Sequence, residues 1–487
     1  MSEPLFIAVD EGTTQVKGLV LDGSLNTIAE ARRSTPANHP RPGWVEKDPR
    51  EVLEAVVEVV AELLDQAPGP VTSMGLDHEG ESVLGWRVSD GEPLTPIVVW
   101  QDKRGEEILE ELEETGRARA EELSGLPADP YFSAGKLAWL LRNDGAVAAA
   151  REAGDLRLGT VDAFITDRLG GLFETDASTA SRTLLAAPGD AGWNPDLLDL
   201  FGVPAELMPE VTDSVGDLGT LRHERWGQEL RLTARCVDQQ AALAGSGCVT
   251  PGPVKATYGT GVFVLAVTGD APPQPGSGLL PTVAWRQDGV DTFAVDGGVF
   301  AAAAMLEWLC GETGLAADPA ALGELARSCP DSGEVMLLPA LAGLGAPWWR
   351  PDARAVIAGI SGSTTRTQVA RAAWEGIAWR TAEIVEAIAS FQEVDALRID
   401  GGLTREPLLA ELQASAIGRP VERLSADSTA IGIGALAAVG AGAIGSVAEI
   451  AGLIETEGNV QPPPGLDRDE GLARWRAFVE ACAALPT

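Results

Sequence analysis

The chain has 487 residues, of which 45% are hydrophobic and 22% charged, a globular composition that excludes disorder and a coiled coil. With 36 basic against 72 acidic residues the net charge is −36, and the isoelectric point is about 4.4. A field of that sign repels phosphate backbones and anionic lipid, so neither nucleic acid nor a membrane surface is an expected partner. A nest of N–H groups with a metal ion can still hold phosphate inside a negative molecule.

The opening, MSEPLFIAVD, has neither a basic segment nor a long apolar run, so no signal peptide is expected. Five cysteines without CxxC spacing read as reduced thiols of a cytoplasmic protein. Residues 5–9 are an apolar run, Asp10-Glu11-Gly12-Thr13-Thr14 a turn, and 16–21 a second apolar run: strand, turn, strand. Helical apolar spacing covers 49–64. Strands are predicted at 71–76 and 96–100, an exposed charged helix at 106–123 that Gly116 can interrupt, and a helix at 134–141. The opening pattern returns at 254–265 as strand, Gly-Thr turn, strand. This reads as a duplication of supersecondary structure, with halves at 1–246 and 247–487. Pro/Gly-rich stretches at 271–278 and 461–465 read as surface loops. A further strand at 396–400 leads through Gly401-Gly402 into a helix carrying Leu408, Leu409, Leu412 and Ile417. The uncharged stretch 428–447 is rich in Ala and Gly, which predicts a closely packed internal helix rather than a membrane span.

Gly-Thr hairpins suit phosphate, because glycine lets backbone N–H groups point inward and threonine hydroxyls add donors. Two such hairpins facing each other would grip one triphosphate, and Asp10 at a strand end can orient hydrated Mg2+. No GxxxxGK[ST] run is present, so a P-loop is excluded. Asp238-Gln239 reads either as a base and amide that receive an alcohol or as a helix N-cap. Gly401-Gly402 is either a seat for an adenosine or a plain turn. Trp100, Tyr131 and Phe263 read by default as core aromatics, and Trp44, Trp139 and Trp308 more firmly so.

Together these residues resemble the FGGY carbohydrate kinases, and within them the glycerol kinases, over nearly the whole chain. Residues 10–17 (DEGTTQVK) are similar to the family's first phosphate loop, with Lys17 where Arg is usual. Residues 41–49 (RPGWVEKDP) resemble a glycerol-kinase segment, and 131–143 (YFSAGKLAWLLRN) fit the first family signature throughout. The second signature, from 355 to 375, departs only at Trp374. Similar segments follow at 175–178 (TDAS), 180–183 (ASRT), 258–261 (YGTG), 343–349 (GLGAPWW) and 400–402 (DGG).

The resemblance implies a duplicated two-domain α/β fold of the actin/Hsp70/hexokinase type, closing over a cleft. It also implies ATP, Mg2+ and phosphoryl transfer to a terminal hydroxyl of a polyol or sugar, with glycerol as first choice and a homodimer or homotetramer as the expected assembly. By matching position it implies Asp10 for the metal and Asp238 for the base. Thr13, Thr14, Gln15, Lys17, Thr260, Gly261, Ala303, Glu307, Gly401, Gly402 and Glu406 match nucleotide positions, with Ala303, Glu307 and Glu406 substituted from the usual Gly, Gln and Asn. Glu81, Tyr131, Asp238 and Gln239 match acceptor contacts, and Trp100 and Phe263 the apolar wall.

One acceptor position departs. Gly80 stands where Arg is expected, and an unreplaced charged hydrogen bond is worth about 1.5–3 kcal/mol. Three readings remain open here: the vacated volume admits a longer polyol or a ketose, His78 or another side chain replaces the donor, or Gly80 is a turn glycine. A nucleotide-gated ATPase on the same fold is the rival class. Asp238, Gln239, Glu81 and Tyr131 favour the kinase, because only there do they converge on an acceptor pocket.

Overall fold

The computed structural model describes residues 4–485 apart from 274–276, 426 and 466. In the first half β1 (Leu5–Glu11), β2 (Gln15–Leu21) and β3 (Thr27–Ser34) form an antiparallel meander. Helix α1 (Pro49–Gln66) follows, started by Asp48 as N-cap and Pro49 in the first turn. Strand β4 (Val71–His78) then pairs parallel with β1, and β5 (Glu229–Val237) parallel with β4. The sheet order is β5-β4-β1-β2-β3, with Thr220–Arg222 outside β5. Helix α2 (Asp238–Gly245) leaves the end of β5. A small sheet of Glu46–Lys47, from before α1, with Ile97–Val98, Val83–Arg87 and Leu156–Thr160, from between β4 and β5, carries the segments of Glu81 and Trp100.

The second half repeats the plan. Strands β6 (Val254–Tyr258), β7 (Val262–Gly269) and β8 (Val290–Val299) form the meander, and α3 (Ala303–Gly311) and α4 (Arg366–Ala389) follow. Strand β9 (Leu397–Asp400) pairs parallel with β6. Helix α5 (Pro407–Ile417) leads to β10 (Val421–Leu424), parallel with β9, and then to α6 (Ser428–Gly440). The order β8-β7-β6-β9-β10 matches the five shared strands of the first sheet, and the second sheet adds Leu280–Gln287 outside β8 and Thr456–Val460 outside β10.

One helix of each half crosses over. Helix α6 packs on β1, β4 and β5 of the first sheet, and α2 reaches β7 of the second. The two helices touch backbone to backbone: a Cβ on Gly432 would lie 1.8 Å from the Ala241 carbonyl, and one on Gly245 1.8 Å from that of Ser428. The stretch read as an internal helix is therefore the core joint between the halves.

Several expectations are corrected. The break in the charged helix falls at Leu112 rather than Gly116, because Glu113 takes a positive φ of 53°. The strand at 96–100 shrinks to Ile97–Val98. Trp308 is 41% exposed rather than core. Trp44 and Trp139 are half-buried and stack edge to face, with Arg104 over the Trp44 ring. Part of the 271–278 loop, residues 274–276, lies outside the described residues.

Candidate functional site

The β1–β2 turn is built around Gly12, whose N–H donates to the Gln15 carbonyl at 3.0 Å. Thr14 and Gln15 are exposed there and Thr13 half-exposed. Buried Lys47 pins the turn from beneath, donating to Glu11 Oε1 (2.5 Å), the Gly12 carbonyl (3.0 Å) and Glu79 Oε1 (3.2 Å). Lys17 reaches across to Asp427, the N-cap of α6, at 2.8 Å.

The β6–β7 turn closes through Gly259 N–H to the Gly261 carbonyl at 2.9 Å. A Cβ on Gly261 would meet the Val299 carbonyl at 2.5 Å, so glycine is needed there. The Thr260 carbonyl accepts from the Ala302 and Ala304 amides, which starts α3 with Ala303 as its first residue and Glu307 exposed one turn on. Gly401 has φ +95° and no room for a Cβ beside the Tyr258 carbonyl, and Gly402 opens the following turn. Glu406 is already engaged, capping α5 through the Leu408 N–H at 3.1 Å and pairing with Arg327. The two hairpins meet at the start of α6: Thr257 donates to Asp400 at 2.5 Å, and Asp400 accepts from Ser428, next to Asp427.

Asp238 is not a helix cap. Val237 holds that position, Asp238 is the first residue of α2, and its Oδ1 accepts from the Gln239 N–H at 2.6 Å. Asp10 and Asp238 keep a partial opening to solvent, yet protein crowds both. Burial first, then Asp427 and Asp238, push the Asp10 carboxyl up to about 7. Burial first, then Glu81, push Asp238 up to about 7, with Lys255 opposing. Asp77, which sequence reasoning passed over, sits in register with Asp10 on the adjacent strand. Its carboxyl is fully buried beside that of Asp10, and neither oxygen makes a geometrically sound hydrogen bond among the described residues. Burial and the facing Asp10 and Asp238 raise its proton affinity as well. This set fits a divalent cation: hard oxygen donors, excess negative charge and an unsatisfied carboxylate.

The acceptor side is a chain of buried contacts. Trp100 donates from Nε1 to Thr13 Oγ1 at 3.2 Å and packs edge to face on Tyr131 at 5.6 Å. Glu81 accepts from Arg182 Nε at 2.8 Å, and Arg182 Nη2 lies 3.1 Å from Asp296 Oδ2. Lys255 donates to Gln239 Oε1 at 2.8 Å. Tyr131, Phe132, Arg182, Phe263, Asp296, Phe300 and Trp349 share one pocket between the halves. Trp100, Tyr131 and Phe263 are half-buried wall residues rather than core.

The structure excludes His78 as the replacement donor at Gly80. A Cβ there would meet the Val237 methyls at 2.7 and 2.9 Å, so the space next to the backbone is filled. His78 turns into the first half, its Nε2 2.9 Å from Thr179 Oγ1. With Asp162 and Asp176 it has the spacing of a metal set, but Thr160, Thr175, Ser178, Thr179 and Ser214 already donate to those carboxylates. That cluster is structural. The position is a turn glycine, and the buried guanidinium nearest the acceptor side is that of Arg182. Arg182 lies in the segment 180–183, which the family resemblance marks without giving it a role. Lys255 and Asp296 carried no local signal.

Residues 5–245 match the N-terminal domain, and 254–441 the C-terminal domain, of the FGGY family of carbohydrate kinases. The chain belongs to that family. It is therefore a phosphotransferase with an alcohol acceptor. A glycerol kinase of Alkalilimnicola ehrlichii is 41% identical over 453 residues, covering 90% of this chain and 91% of the relative. One of Citrifermentans bemidjiense is 38% identical, covering 97% of each. Among solved structures, the Plasmodium falciparum glycerol kinase with ADP has a TM-score of 0.92 at 26% identity, covering 100% of this chain and 99% of the other. A xylulose kinase of Lactobacillus acidophilus has 0.89 at 20%, covering 99% of each, and speaks to the fold alone. Among the described residues no helix is long and apolar enough to cross a membrane.

Proposed function

We propose that this FGGY kinase transfers the γ-phosphoryl group of ATP to a terminal hydroxyl of glycerol, giving sn-glycerol 3-phosphate. The carrying observation is the position of Asp238, close enough to feel Glu81 on the acceptor side while Asp10 on the phosphate side feels it in turn. A carboxyl held near 7 is a far better proton acceptor for an attacking alcohol than one at its ordinary value. Gln239, fixed by Lys255, orients that alcohol, and Glu81 and Tyr131 complete its surroundings. Asp10 and Asp77 would hold Mg2+, which when bound supplies charge neutralisation to the transferring phosphoryl group. The turns of Thr13–Thr14 and Thr260–Gly261 offer donors for the phosphates, with Gly401-Gly402 near the nucleoside. Glycerol is preferred over a longer polyol or a ketose because the relatives at 41% and 38% identity are glycerol kinases.

The test is Asp238→Asn in a coupled ADP-release assay over glycerol, erythritol, xylitol and xylulose. Phosphorylation should fall by about 100-fold to 10,000-fold with nucleotide binding retained. A near wild-type rate overturns the base, and no turnover of glycerol by the parent overturns the substrate. All five cysteines are free thiols, which supports the expected cytoplasmic location. The homodimer or homotetramer expected from the resemblance is read by light scattering.

A further inference from the structure

We propose that Arg182 and Asp296 form a hydroxyl-binding subsite at the far end of the acceptor pocket, one that grips the non-reacting terminal hydroxyl of the polyol. This rests on the kinase reading above and extends it to two residues to which that reading gives no role.

Arg182 is buried, and two of its nitrogens are spoken for: Nε by Glu81 and Nη2 by Asp296. Its Nη1 is buried with no partner among the described residues, and so is Asp296 Oδ1. A buried bare donor and a buried bare acceptor thus belong to one ion pair lining one pocket. Leaving such atoms unsatisfied is costly, and protein interiors rarely tolerate it without a ligand or water. A hydroxyl is donor and acceptor at once, so a single hydroxyl accepts from Nη1 and donates to Oδ1. Phe263, Phe300 and Trp349 line the same pocket, keeping water scarce and the pair strong.

The order of contacts is the argument for which hydroxyl this is. Asp238 neighbours Glu81, Glu81 bonds Arg182, and Arg182 pairs with Asp296. The subsite is therefore the part of the chain remote from the base. It also spans the molecule, with Arg182 from the first half and Asp296 on β8 of the second, so an acceptor bound there ties the halves together.

The experiment compares kcat/KM for glycerol, 1,2-propanediol (no distal hydroxyl) and 1,3-propanediol (no central one) in the parent, Arg182→Gln, Arg182→Lys and Asp296→Asn. The parent should favour glycerol over 1,2-propanediol by about tenfold to a hundredfold. In Arg182→Gln and Asp296→Asn that ratio should collapse to about threefold or less, through KM for glycerol, while the ratio against 1,3-propanediol and KM for ATP hold. Variants that lose activity but keep the 1,2-propanediol discrimination overturn the subsite and leave a structural ion pair, or one satisfied by water. Arg182→Lys, which keeps a cation between Glu81 and Asp296, covers the case in which Arg182→Gln fails to fold, and thermal midpoints report that case. If the parent ignores glycerol, the substrate reading falls. The subsite is then judged by the same comparison on whichever polyol is accepted and its distal deoxy analogue.

Discussion

Placing arginine at position 80, as the family pattern would have it, should weaken this enzyme. The first atom added does the damage. A Cβ on Gly80 stands 2.7 Å and 2.9 Å from the two Val237 methyls and 3.4 Å from its Cβ. Carbon contacts settle at about 3.5–4.0 Å, so Val237 must retreat by roughly 0.8 Å. It cannot do so by turning its side chain, because both methyls and the Cβ are crowded together. Its backbone is held by the ladder to His78 and by a bond from its N–H to Ser178 Oγ at 3.2 Å. The shift passes to the next residue, Asp238. Overpacking of this kind costs about 1–3 kcal/mol, and a ~1 Å misplacement at a reacting centre costs about a hundredfold in rate. Gly80→Ala alone should therefore lower both the unfolding midpoint and kcat/KM for glycerol, Gly80→Arg should do no better, and adding Val237→Ala should recover part of the loss. Gly80→Ala within ~2-fold of the parent in rate, at unchanged stability, would refute the packing argument.

Asp77→Asn should raise the stability of the metal-free protein, because a crowded buried carboxyl is removed, while weakening Mn2+ binding without nucleotide about tenfold by calorimetry or electron paramagnetic resonance. Unchanged Mn2+ affinity would sink that assignment. The metal-free protein should also lose stability as pH rises. Asp10 and Asp238 ionise at about 7 in the fold against an ordinary value of 3.8, so between those values the folded chain binds more protons than the unfolded one. Urea midpoints should fall from pH 5 to about 7.5, and saturating Mg2+ should flatten the fall; a midpoint that climbs over this range contradicts the shifts. Gly432→Ala gains about 1 kcal/mol of helix propensity but drives a methyl into the Ala241 carbonyl, 1.8 Å away, so the thermal midpoint should drop.

The parts of the molecule that were legible from sequence are those whose signal is local. Each Gly-Thr hairpin announces itself by two apolar runs around a turn, and both halves of the duplication follow from that repetition. Where a local cue and the fold disagree, the reason is packing. Gly116 stays helical while Leu112 takes the break, and Trp308, apolar by type, lies on the exposed face of α3. The crossing of α2 and α6 was out of reach, since nothing in a run of Ala and Gly names its partner. The same holds for the site. Asp10 and Asp238 stood out at strand ends, but Asp77, Arg182, Lys255 and Asp296 matter only because the fold gathers positions far apart in the chain.

That gathering produces an electrostatic problem with one economical solution. Asp10, Asp77, Asp238, Asp427, Glu81, Asp296 and Asp400 surround the site, and among the described residues Lys17, Lys255, Arg182 and Lys136 are the cations that answer them. A bare nucleotide triphosphate would add negative charge to a negative pocket, at a cost near 4 kcal/mol for each like pair at ~4 Å and an effective dielectric of ~20. Backbone donors in two Gly-Thr turns do not offset several such pairs. A divalent cation would, and Asp10 and Asp77, side by side on adjacent strands, are the carboxylates that would hold it. The acceptor side resolves the same surplus differently, by spending Arg182 and Lys255 on Glu81, Asp296 and Gln239. Asp238, pushed up by burial and Glu81 and only partly answered by Lys255, lies between the two regions, where the proposed transfer needs its proton acceptor.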